Sequence, residues 1–273
     1  MISLIISVYN NKTALEQILT ALTIQSYKDF EVFIADDGSG NDIKEFISDF
    51  TSHSPYKINH IFHDDKGFRK NKILNESINK SKTDYIVFID GDCIPHSEFM
   101  YQHNHNKQVN TVLCGRRVNL SEKMSSEITT SKILSKEYEK RKLKHIYDSW
   151  RFDKKSRSTW VEEGFLIKNE FIRNLYIKGE PRIVGCNFSL HKETIEKING
   201  FDEYYEGPGI GEDSDIEFRL RIAGVKFKTI RNLAILFHLY HPLATRPERN
   251  YEYFREVQKK KEFVCKNGLR KLS

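Results

Sequence analysis

The sequence predicts an α/β fold built around a mostly parallel central sheet with helices on its faces. Over the first ninety residues, short apolar runs alternate with segments whose apolar residues recur at helical spacing. This alternation is typical of strands joined by crossover helices, which produce a parallel sheet. Polar or acidic residues also follow each of the first four apolar runs, at the strand ends where open α/β sheets bind ligands.

The elements of the N-terminal half are predicted to alternate between strand and helix. Residues 2–9 form a largely apolar run, which fits a strand that is covered on both faces of the sheet. Residues 12–25 carry apolar side chains at helical spacing, and Asn10 or Asn11 could cap this helix. The same reasoning predicts strands at 30–35, 58–62 and 85–89 and helices at 41–50 and 71–79.

The C-terminal half is predicted to resume this alternation after a basic middle segment. Within that segment, residues 131–147 look helical and very basic, and Trp150 and Trp160 flank another basic run. Because no low-complexity linker interrupts the chain, residues 1–273 are predicted to form one domain. Beyond the middle segment, the patterns predict strands at 184–190, 226–230 and 234–238 and helices at 192–198, 212–223 and 247–266.

Composition and charge narrow the functional classes without choosing among them. The 273 residues carry a formal net charge of +6, and no apolar stretch approaches the roughly 20 residues that span a bilayer. The N-terminus lacks the basic region and cleavage site of a signal peptide, so a cytosolic protein is expected. The four cysteines show no paired spacing, which argues against disulfides and against a zinc site. The basic excess fits an anionic substrate, an anionic membrane surface or nucleic acid.

The most informative motif is Ile89-Asp90-Gly91-Asp92, at the end of an apolar run. Residues i and i+2 of an extended chain point the same way, so Asp90 and Asp92 can converge on one cation. Paired carboxylates on an open loop suit Mg²⁺ or Mn²⁺ that already carries phosphate oxygens. An ordinary Asp-Gly turn is the alternative interpretation of this tripeptide.

Two further groups of residues could carry chemistry. Residues 211–215, Gly-Glu-Asp-Ser-Asp, stand where a glycine-rich loop enters a predicted helix. Their acids could complement the helix dipole or supply a general base. His238 ends an apolar run, and His241 follows it. A neutral imidazole beside carboxylates is a good Mn²⁺ ligand, and a pair of hydrogen-bonded histidines is the alternative.

Taken together, these motifs resemble family-2 glycosyltransferases with the GT-A fold. The N-terminal half carries the family pattern at residues 5–10, 25–39, 67–75 and 87–92. Residues 185–189, 199–202 and 211–215, with His238, resemble the galactosyltransferase-type segment of bacterial capsule and chondroitin-type polymerases. The resemblance implies a Rossmann-like, mostly parallel central sheet flanked by helices, with a C-terminal acceptor-side extension.

The resemblance also implies how the chain is organised. A nucleotide-sugar-binding half would occupy 1–115, a variable basic segment 116–180, and an acceptor or catalytic half 181–273. The basic segment has no family counterpart, so it could line an acceptor groove, contact a membrane or be a surface insertion. The C-terminal helix could lie on anionic lipid, and an ordinary docked helix is the alternative.

A binding site for a UDP-sugar donor follows from the resemblance. Ser7, Tyr9 and Asp37 would hold the uracil and the ribose, with Asp37 accepting a hydrogen bond from uracil N3–H. Asp36 would orient the loop, and Asp90 would meet the ribose and the metal. The nucleotide or the diphosphate would be contacted by residues of the 67–75 motif, namely Arg69, Lys72 and Asn75.

The resemblance further implies that the transfer depends on Mn²⁺ or Mg²⁺. Asp92 would be the firmer metal ligand, Asp90 a second one and His238 a further one. His241 competes with His238 for that position, and the sequence leaves the choice open. The ion would bridge the diphosphate and offset the charge on the UDP leaving group.

The resemblance implies an inverting reaction, with the acids of the 211–215 motif in the catalytic roles. Asp213 would be the general base that deprotonates an acceptor hydroxyl, and Glu212 would orient the acceptor or the donor sugar. The reverse assignment, with Glu212 as the base, is the alternative. One base without a carboxylate nucleophile predicts inversion of configuration. The acceptor would be a glycan or a lipid-linked oligosaccharide in bacterial surface polysaccharide synthesis.

Other functions fit the residues less well. A sugar-phosphate nucleotidyltransferase would need a glycine-rich basic loop after the first strand, where residues 8–12 read Val-Tyr-Asn-Asn-Lys. A nucleic-acid-binding module is disfavoured because the acidic strand ends would repel a polyanion, so nucleic acid is not an expected partner. An inactive sugar-nucleotide-binding protein is disfavoured because Asp90, Asp92, Asp213 and His238 are all present. Peripheral membrane contact and the oligomeric state stay open.

Overall fold

A mixed sheet lies at the centre of the computed structural model, which describes residues 1–150, 157–211, 213–242 and 246–272. The strands in these ranges are β1 Ile2–Val8, β2 Phe30–Asp36, β3 Lys57–Phe62, β4 Tyr85–Asp90, β5 Cys93–Pro95, β6 Thr111–Cys114, β7 Arg116–Asn119, β8 Phe188–His191, β9 Lys226–Thr229 and β10 Ile235–His238. The helices of the N-terminal half are α1 Lys12–Thr23, α2 Asn41–His53, α3 Lys70–Lys80 and α4 Phe99–Asn106.

Shorter helices follow in the middle of the chain, and longer ones close it. They are α5 Glu122–Ser126, α6 Thr130–Leu134, α7 Glu137–Lys140, α8 Lys142–Ser149, α9 Glu170–Tyr176, α10 Lys192–Glu196, α11 Ser214–Ile222 and α12 Glu248–Lys260, with a 3-10 helix at Val161–Gly164. Among the helices in the described ranges, none combines the length and the hydropathy needed to cross a bilayer.

The central sheet has the strand order β3-β2-β1-β4-β8-β6-β9 in the described chain. Its first four strands run parallel, as the alternating pattern predicts. β8 is antiparallel to its neighbours β4 and β6, and β9 returns parallel to β6. The register pairs Ser7 with Asp90 and Val8 with Asp36, so the carboxyl ends of three strands meet at one edge.

A second, smaller sheet in the order β5-β10-β7 brings the C-terminal half against this edge. β10 runs antiparallel to β5 and pairs His238 with Cys93, the residue after Asp92. On its other side β10 is parallel to β7, where His238 pairs with Asn119. This small sheet therefore carries a histidine that is distant in sequence to the acidic end of β4.

Apolar side chains cover both faces of the central sheet, because successive residues of a strand point to opposite faces. Leu4 and Ile6 of β1 pack in one buried cluster with Leu15 of α1. Ile5 packs in a second cluster with Ile73 of α3. The helices on either face thus explain why β1 is apolar along its whole length, as expected for a parallel strand inside a sheet.

Three predicted elements differ from the structure more than the others do. The strand predicted from 184 begins only at Phe188, because a turn with a hydrogen bond from Asn187 N–H to the Val184 carbonyl (2.8 Å) precedes it. The predicted basic helix over 131–147 is broken where Lys136 takes a left-handed φ of 57°. The last helix ends at Lys260 because Lys261 also takes a positive φ, of 54°.

Candidate active site

An open cleft of about 890 Å³ lies beyond the carboxyl ends of β1, β2 and β4. Segments that are distant in sequence meet here, since the loop before α11 and the end of β10 form its other walls. The structure brings most of the sequence-predicted site residues into this one cleft. Those that line it are Ser7, Tyr9, Asp37, Asp90, Asp92, Asp213, His238 and His241.

Three side-chain atoms that could ligate a metal converge at one end of the cleft, and we term Asp92, His238 and His241 the metal triad. The Asp92 Oδ2 atom lies 3.2 Å from His241 Nε2 and 3.5 Å from His238 Nε2. The two histidine Nε2 atoms are 3.2 Å apart. Ligands about 2.1 Å from one cation are separated by roughly 3 Å at right angles, so this spacing fits a single divalent ion. Both histidines therefore qualify as ligands, where the sequence left a choice between them.

Cys93 supports the metal triad rather than joining it. Its sulfur lies close enough to Asp92 and His238 to belong to the same group of candidate ligands. Burial raises the pKa of this thiol well above its ordinary value, which favours the neutral thiol. It donates a hydrogen bond to Asp92 Oδ1 (3.3 Å), which leaves Oδ2 facing the histidines.

The charge state of Asp92 follows from these contacts. Burial alone would raise its pKa, but hydrogen bonds from His238 and His241 outweigh burial and hold the pKa below its usual range. The hydrogen bond between Asp92 and His241 also raises the pKa of His241. Asp92 is thus an ionised carboxylate across the physiological range, which is the form that binds a metal.

Asp90 is engaged by partners other than the metal triad. Its Oδ1 atom accepts a hydrogen bond from Ser7 Oγ (3.1 Å) and pairs with Lys70 Nζ (2.7 Å). A Cβ atom on Gly91 would lie 2.6 Å from the Ser7 carbonyl oxygen, so only glycine fits between the two carboxylates. Lys70, the first residue of α3, also lines the cleft and was not among the predicted site residues.

The two adjacent aspartates at the end of β2 have different surroundings, and of the two only Asp37 lines the cleft. Asp36 is fully buried and accepts hydrogen bonds from the Ser39 N–H (2.8 Å) and from His60 Nε2 (2.9 Å), so it orients the loop. Asp37 Oδ1 contacts His63 Nε2 at 2.5 Å, and its Oδ2 accepts from the Arg69 N–H at 2.8 Å. Tyr9 stands exposed beside them.

Three predicted nucleotide or diphosphate contacts are not among the residues that line the cleft, namely Arg69, Lys72 and Asn75. The Arg69 guanidinium donates to the Asp64 carbonyl. Asn75 is buried and joins α3 to the following half of the chain, since it accepts from the Phe201 N–H (2.9 Å) and donates to the Phe201 carbonyl (2.8 Å). A contact between Asn75 and the donor is therefore not supported by its position.

Asp213 caps α11 at the opposite wall of the cleft. Its Oδ1 accepts hydrogen bonds from the Ser214 N–H (2.6 Å) and from Ser214 Oγ (3.1 Å). Burial raises its pKa, and this effect outweighs the two hydrogen bonds that lower it. A carboxylate with a raised pKa is better suited to accept a proton. Glu212, the other predicted catalytic acid, lies outside the described residues.

Asp215, the third acid of this motif, has a structural role. It is buried and binds Arg219 Nε at 2.6 Å and the Tyr205 hydroxyl at 2.9 Å. Arg219 also reaches Asp202 at 3.1 Å. These contacts turn Asp215 away from the cleft and tie α11 to the loop that follows α10.

Arg117 is a further cation in the cleft that the sequence reasoning missed. It lies on β7, and its side chain donates to Asn119 Oδ1 (3.1 Å) and to Cys186 Sγ (3.4 Å). Within the described part of the chain, no carboxylate forms an ion pair with it. The sequence offered only a pair of adjacent arginines, Arg116 and Arg117, in a segment without a family counterpart.

Family models match most of the chain. Residues 3–198 match the model described as glycosyl transferase family 2. The chain belongs to glycosyltransferase family 2. Residues 172–242 of this family-2 glycosyltransferase also match the model described as the N-terminal domain of galactosyltransferase. The two matched regions together contain the cleft residues from Ser7 to His241.

Curated relatives of this family-2 glycosyltransferase include much longer polysaccharide synthases. Chondroitin synthase from Escherichia coli is 25% identical over 248 residues, which cover 88% of this chain and 35% of the relative. Hyaluronan synthase from Pasteurella multocida is 24% identical, and the matched region covers 84% of this chain and 24% of the length of that synthase. The chain thus spans about a third or less of these two relatives.

Solved structures share the fold. Staphylococcus aureus TarS 1–349 in complex with UDP-GlcNAc superposes with a TM-score of 0.59 at 14% identity, over 94% of this chain and 65% of that one. The mannosyltransferase PcManGT from Pyrobaculum calidifontis, in complex with GDP-Man and Mn²⁺, superposes with a TM-score of 0.55 at 14% identity. The match covers 96% of this chain and 61% of that one. The GT-A fold predicted from the sequence is confirmed.

Proposed function

We propose that this family-2 glycosyltransferase moves a hexose or an N-acetylhexosamine from a UDP-sugar to a glycan acceptor, with inversion and with the help of Mn²⁺ or Mg²⁺. The metal triad, at the strand ends where α/β sheets bind nucleotides, is the observation that carries the proposal. A mixed set of two imidazoles and one carboxylate suits Mn²⁺ better than Mg²⁺, which prefers oxygen ligands. A bound ion would offset negative charge on the departing UDP.

The nucleoside of the donor is proposed to lie over β1 and β2. Ser7, Tyr9 and Asp37 line this part of the cleft, and Asp37 is the candidate acceptor for uracil N3–H. His63 and the Arg69 N–H hold the Asp37 carboxylate from behind, which fixes its orientation before the donor binds. The solved relative with bound UDP-GlcNAc supports a uridine nucleotide as the donor.

Two cations are proposed to face the diphosphate. Lys70 enters the cleft from α3 beside Asp90, and Arg117 enters from β7. Arg117 donates to an amide oxygen and to a sulfur, and no carboxylate among the described residues pairs with it, so its charge is available to an anion. A planar guanidinium also matches phosphate oxygens well. Asp90 would meet the ribose on the other side of Lys70.

Asp213 is proposed to take the proton from the acceptor hydroxyl. Its burial favours the neutral acid, so the carboxylate is a stronger base than an exposed aspartate. A single base acting opposite the leaving group predicts inversion, as in single-displacement glycosidases. Glu212 is proposed to orient the acceptor or the donor sugar. Residues 1–115 would then form the donor half and 181–273 the acceptor half.

The curated relatives support a growing glycan or a lipid-linked oligosaccharide as the acceptor, because they are chondroitin and hyaluronan synthases. The proposal therefore places the reaction in bacterial surface polysaccharide synthesis. It takes place in the cytoplasm, at the inner face of the plasma membrane when the acceptor is lipid-linked.

Binding of nucleotide sugars tests this proposal. Thermal stability and calorimetric binding would be measured with a panel of UDP-sugars and GDP-mannose, each with and without Mn²⁺. We expect metal-dependent stabilisation by a UDP-sugar, lost in Asp92→Ala and weakened in His241→Ala. The exposed Glu16→Ala on α1 is the matched control and should bind as the wild type does. Lack of response to every nucleotide would overturn the donor site, and binding without transfer to any acceptor would favour a sugar-nucleotide-binding protein.

A further inference from the structure

The middle of the chain exposes an apolar stripe along α8. Leu143, Tyr147 and Trp150 follow one another at i, i+4 and i+7, so they lie on one face of the helix. Their side chains are 83%, 79% and 80% exposed. The opposite face is anchored, since His145 and Asp148 are buried. Large apolar residues exposed together at helical spacing mark a surface that something else covers.

The next helix, α9, adds to this surface. Phe171, Ile172, Leu175 and Tyr176 are between 46% and 72% exposed, and α9 buries none of its residues. α8 contacts the 3-10 helix Val161–Gly164. α9 begins six residues after that 3-10 helix ends, and burial and the charges of Glu162 and Glu163 raise the pKa of Tyr176. We name the exposed residues of the two helices the α8–α9 face.

Charges around α8 make this face cationic. Lys140 and Lys142 are exposed, and Lys142 extends over the Phe165 ring at 5.7 Å. Beside α8, Glu137 pairs with Arg141, and Asp148 accepts hydrogen bonds from Ser158. On α9, Glu170 is an exposed acid. Solvent therefore meets lysines beside leucine, tyrosine and tryptophan.

We infer that the α8–α9 face docks on a bilayer of anionic lipids. Helices that lie in the membrane interface combine Trp, Phe and Leu on one side with Lys or Arg beside them, and Tyr and Trp prefer the headgroup depth. A polysaccharide would stack on the aromatic rings but gains little from Leu143, Ile172 and Leu175. A symmetric second copy would bring Lys140 and Lys142 towards their own counterparts, whereas anionic headgroups complement them.

This inference goes beyond the transferase site and does not rest on it. Among the described residues that line the cleft, none belongs to the α8–α9 face. Variants of the face should therefore keep their affinity for UDP and Mn²⁺, so failure of the docking proposal and failure of the proposed function are distinguishable.

The two tryptophans of the chain provide a direct test, because both lie in this segment. Trp160→Phe leaves Trp150 as the single tryptophan, on the α8–α9 face. We expect its emission to shift to shorter wavelength on addition of vesicles of phosphatidylcholine with phosphatidylglycerol, and to be quenched by brominated lipid. The shift should be smaller with pure phosphatidylcholine and should weaken as salt is raised. Emission unchanged by anionic vesicles would overturn the inference.

Matched variants separate the apolar from the charged contribution. Leu143→Ser with Tyr147→Ser should lower the vesicle partition coefficient by about tenfold or more, because two apolar side chains leave the interface. The control is Val109→Ser with Leu272→Ser, which removes exposed apolar residues elsewhere. Lys140→Glu with Lys142→Glu should abolish the preference for anionic vesicles, whereas Lys259→Glu with Lys260→Glu at the end of α12 should keep it.

Two results would assign the face to another occupant and so overturn the inference. The first is self-association of the wild type, measured by light scattering, if the double variant Leu143→Ser with Tyr147→Ser no longer self-associates. The second is a Trp150 emission shift produced by a soluble polysaccharide and not by vesicles. Equal partition of the face variant and its Val109→Ser, Leu272→Ser control would overturn it as well.

Discussion

At the scale of single residues, Arg117 is a cation of the cleft that the sequence did not predict, and it is proposed to contact the diphosphate. The expected consequence is that Arg117→Met weakens binding of UDP by about tenfold to hundredfold, the range for a lost hydrogen bond to a charged group. Binding of uridine, which has no phosphate, should stay unchanged. Calorimetry with both ligands measures the difference. Arg116→Met is the matched control, since Arg116 lies on the same strand and its guanidinium donates to the backbone carbonyls of Gly115 and Arg182.

Equal losses of UDP and uridine affinity in Arg117→Met would contradict a phosphate contact and would indicate a disturbed cleft instead. The same two ligands report on Lys70, whose pairing with Asp90 gives it a second role. Lys70→Met should weaken both ligands, because Asp90 then loses its cationic partner beside the ribose.

In the proposed mechanism, the pH dependence of the rate belongs to Asp213. A general base must be ionised, so kcat/KM should fall as the pH drops through its pKa, and burial places this limb above the roughly 3.9 of an exposed aspartate. The Ser214 hydroxyl lowers that pKa by donating to Asp213 Oδ1. Ser214→Ala should therefore move the acid limb to higher pH. Among the described residues, Lys70 and Asp90 act on Asp213 by their charges, the first lowering and the second raising its pKa.

Two variants complete this test. Asp213→Asn should lower kcat by about a hundredfold to ten-thousandfold while the donor still binds, as expected when a general base is lost. An acid limb that stays in place in Ser214→Ala, together with a nearly normal rate in Asp213→Asn, would transfer the role of base to Glu212.

At the scale of elements, α3 places a predicted site residue, Asn75, in buried hydrogen bonds with the following half of the chain. Asn75→Ala should lower the free energy of unfolding by about 2 kcal/mol, because the buried N–H and carbonyl of Phe201 lose their partners. Denaturant unfolding measures this loss. Asn79→Ala, on the exposed part of the same helix, should be nearly neutral. A raised donor KM with unchanged stability would restore the predicted nucleotide contact.

The elements also explain how far the sequence could be interpreted. β1, β2 and β4 are predicted within one residue because parallel strands buried on both faces read as apolar runs. β5 has only three residues, and β7 is Arg-Arg-Val-Asn, so neither shows a detectable alternation of apolar and polar residues. Their pairing with β10 is a tertiary contact. The sequence could therefore name His238 and His241 as candidates but not bring both to Asp92.

At the scale of the whole molecule, the cleft joins segments from both halves of the chain, so ligands should stabilise it cooperatively. Ser7 and Asp37 come from the first half, and His238 and His241 from the last quarter. A metal that also contacts the diphosphate makes each ligand bind more tightly in the presence of the other, and this coupling is reciprocal. A ligand at a hundred times its Kd adds about 2.7 kcal/mol to the free energy of unfolding.

Thermal unfolding with Mn²⁺ alone, UDP alone and both together tests this coupling. We expect the shift in Tm with both ligands to exceed the sum of the two separate shifts, by at least a few degrees. Uridine in place of UDP should give additive shifts, because it offers the metal no phosphate oxygen. His241→Ala should reduce the excess, since Asp92 and His238 alone hold the ion less firmly. Additive shifts with UDP in the wild type would mean that metal and diphosphate do not touch, and the metal triad would then be a structural cluster at the edge of the sheet.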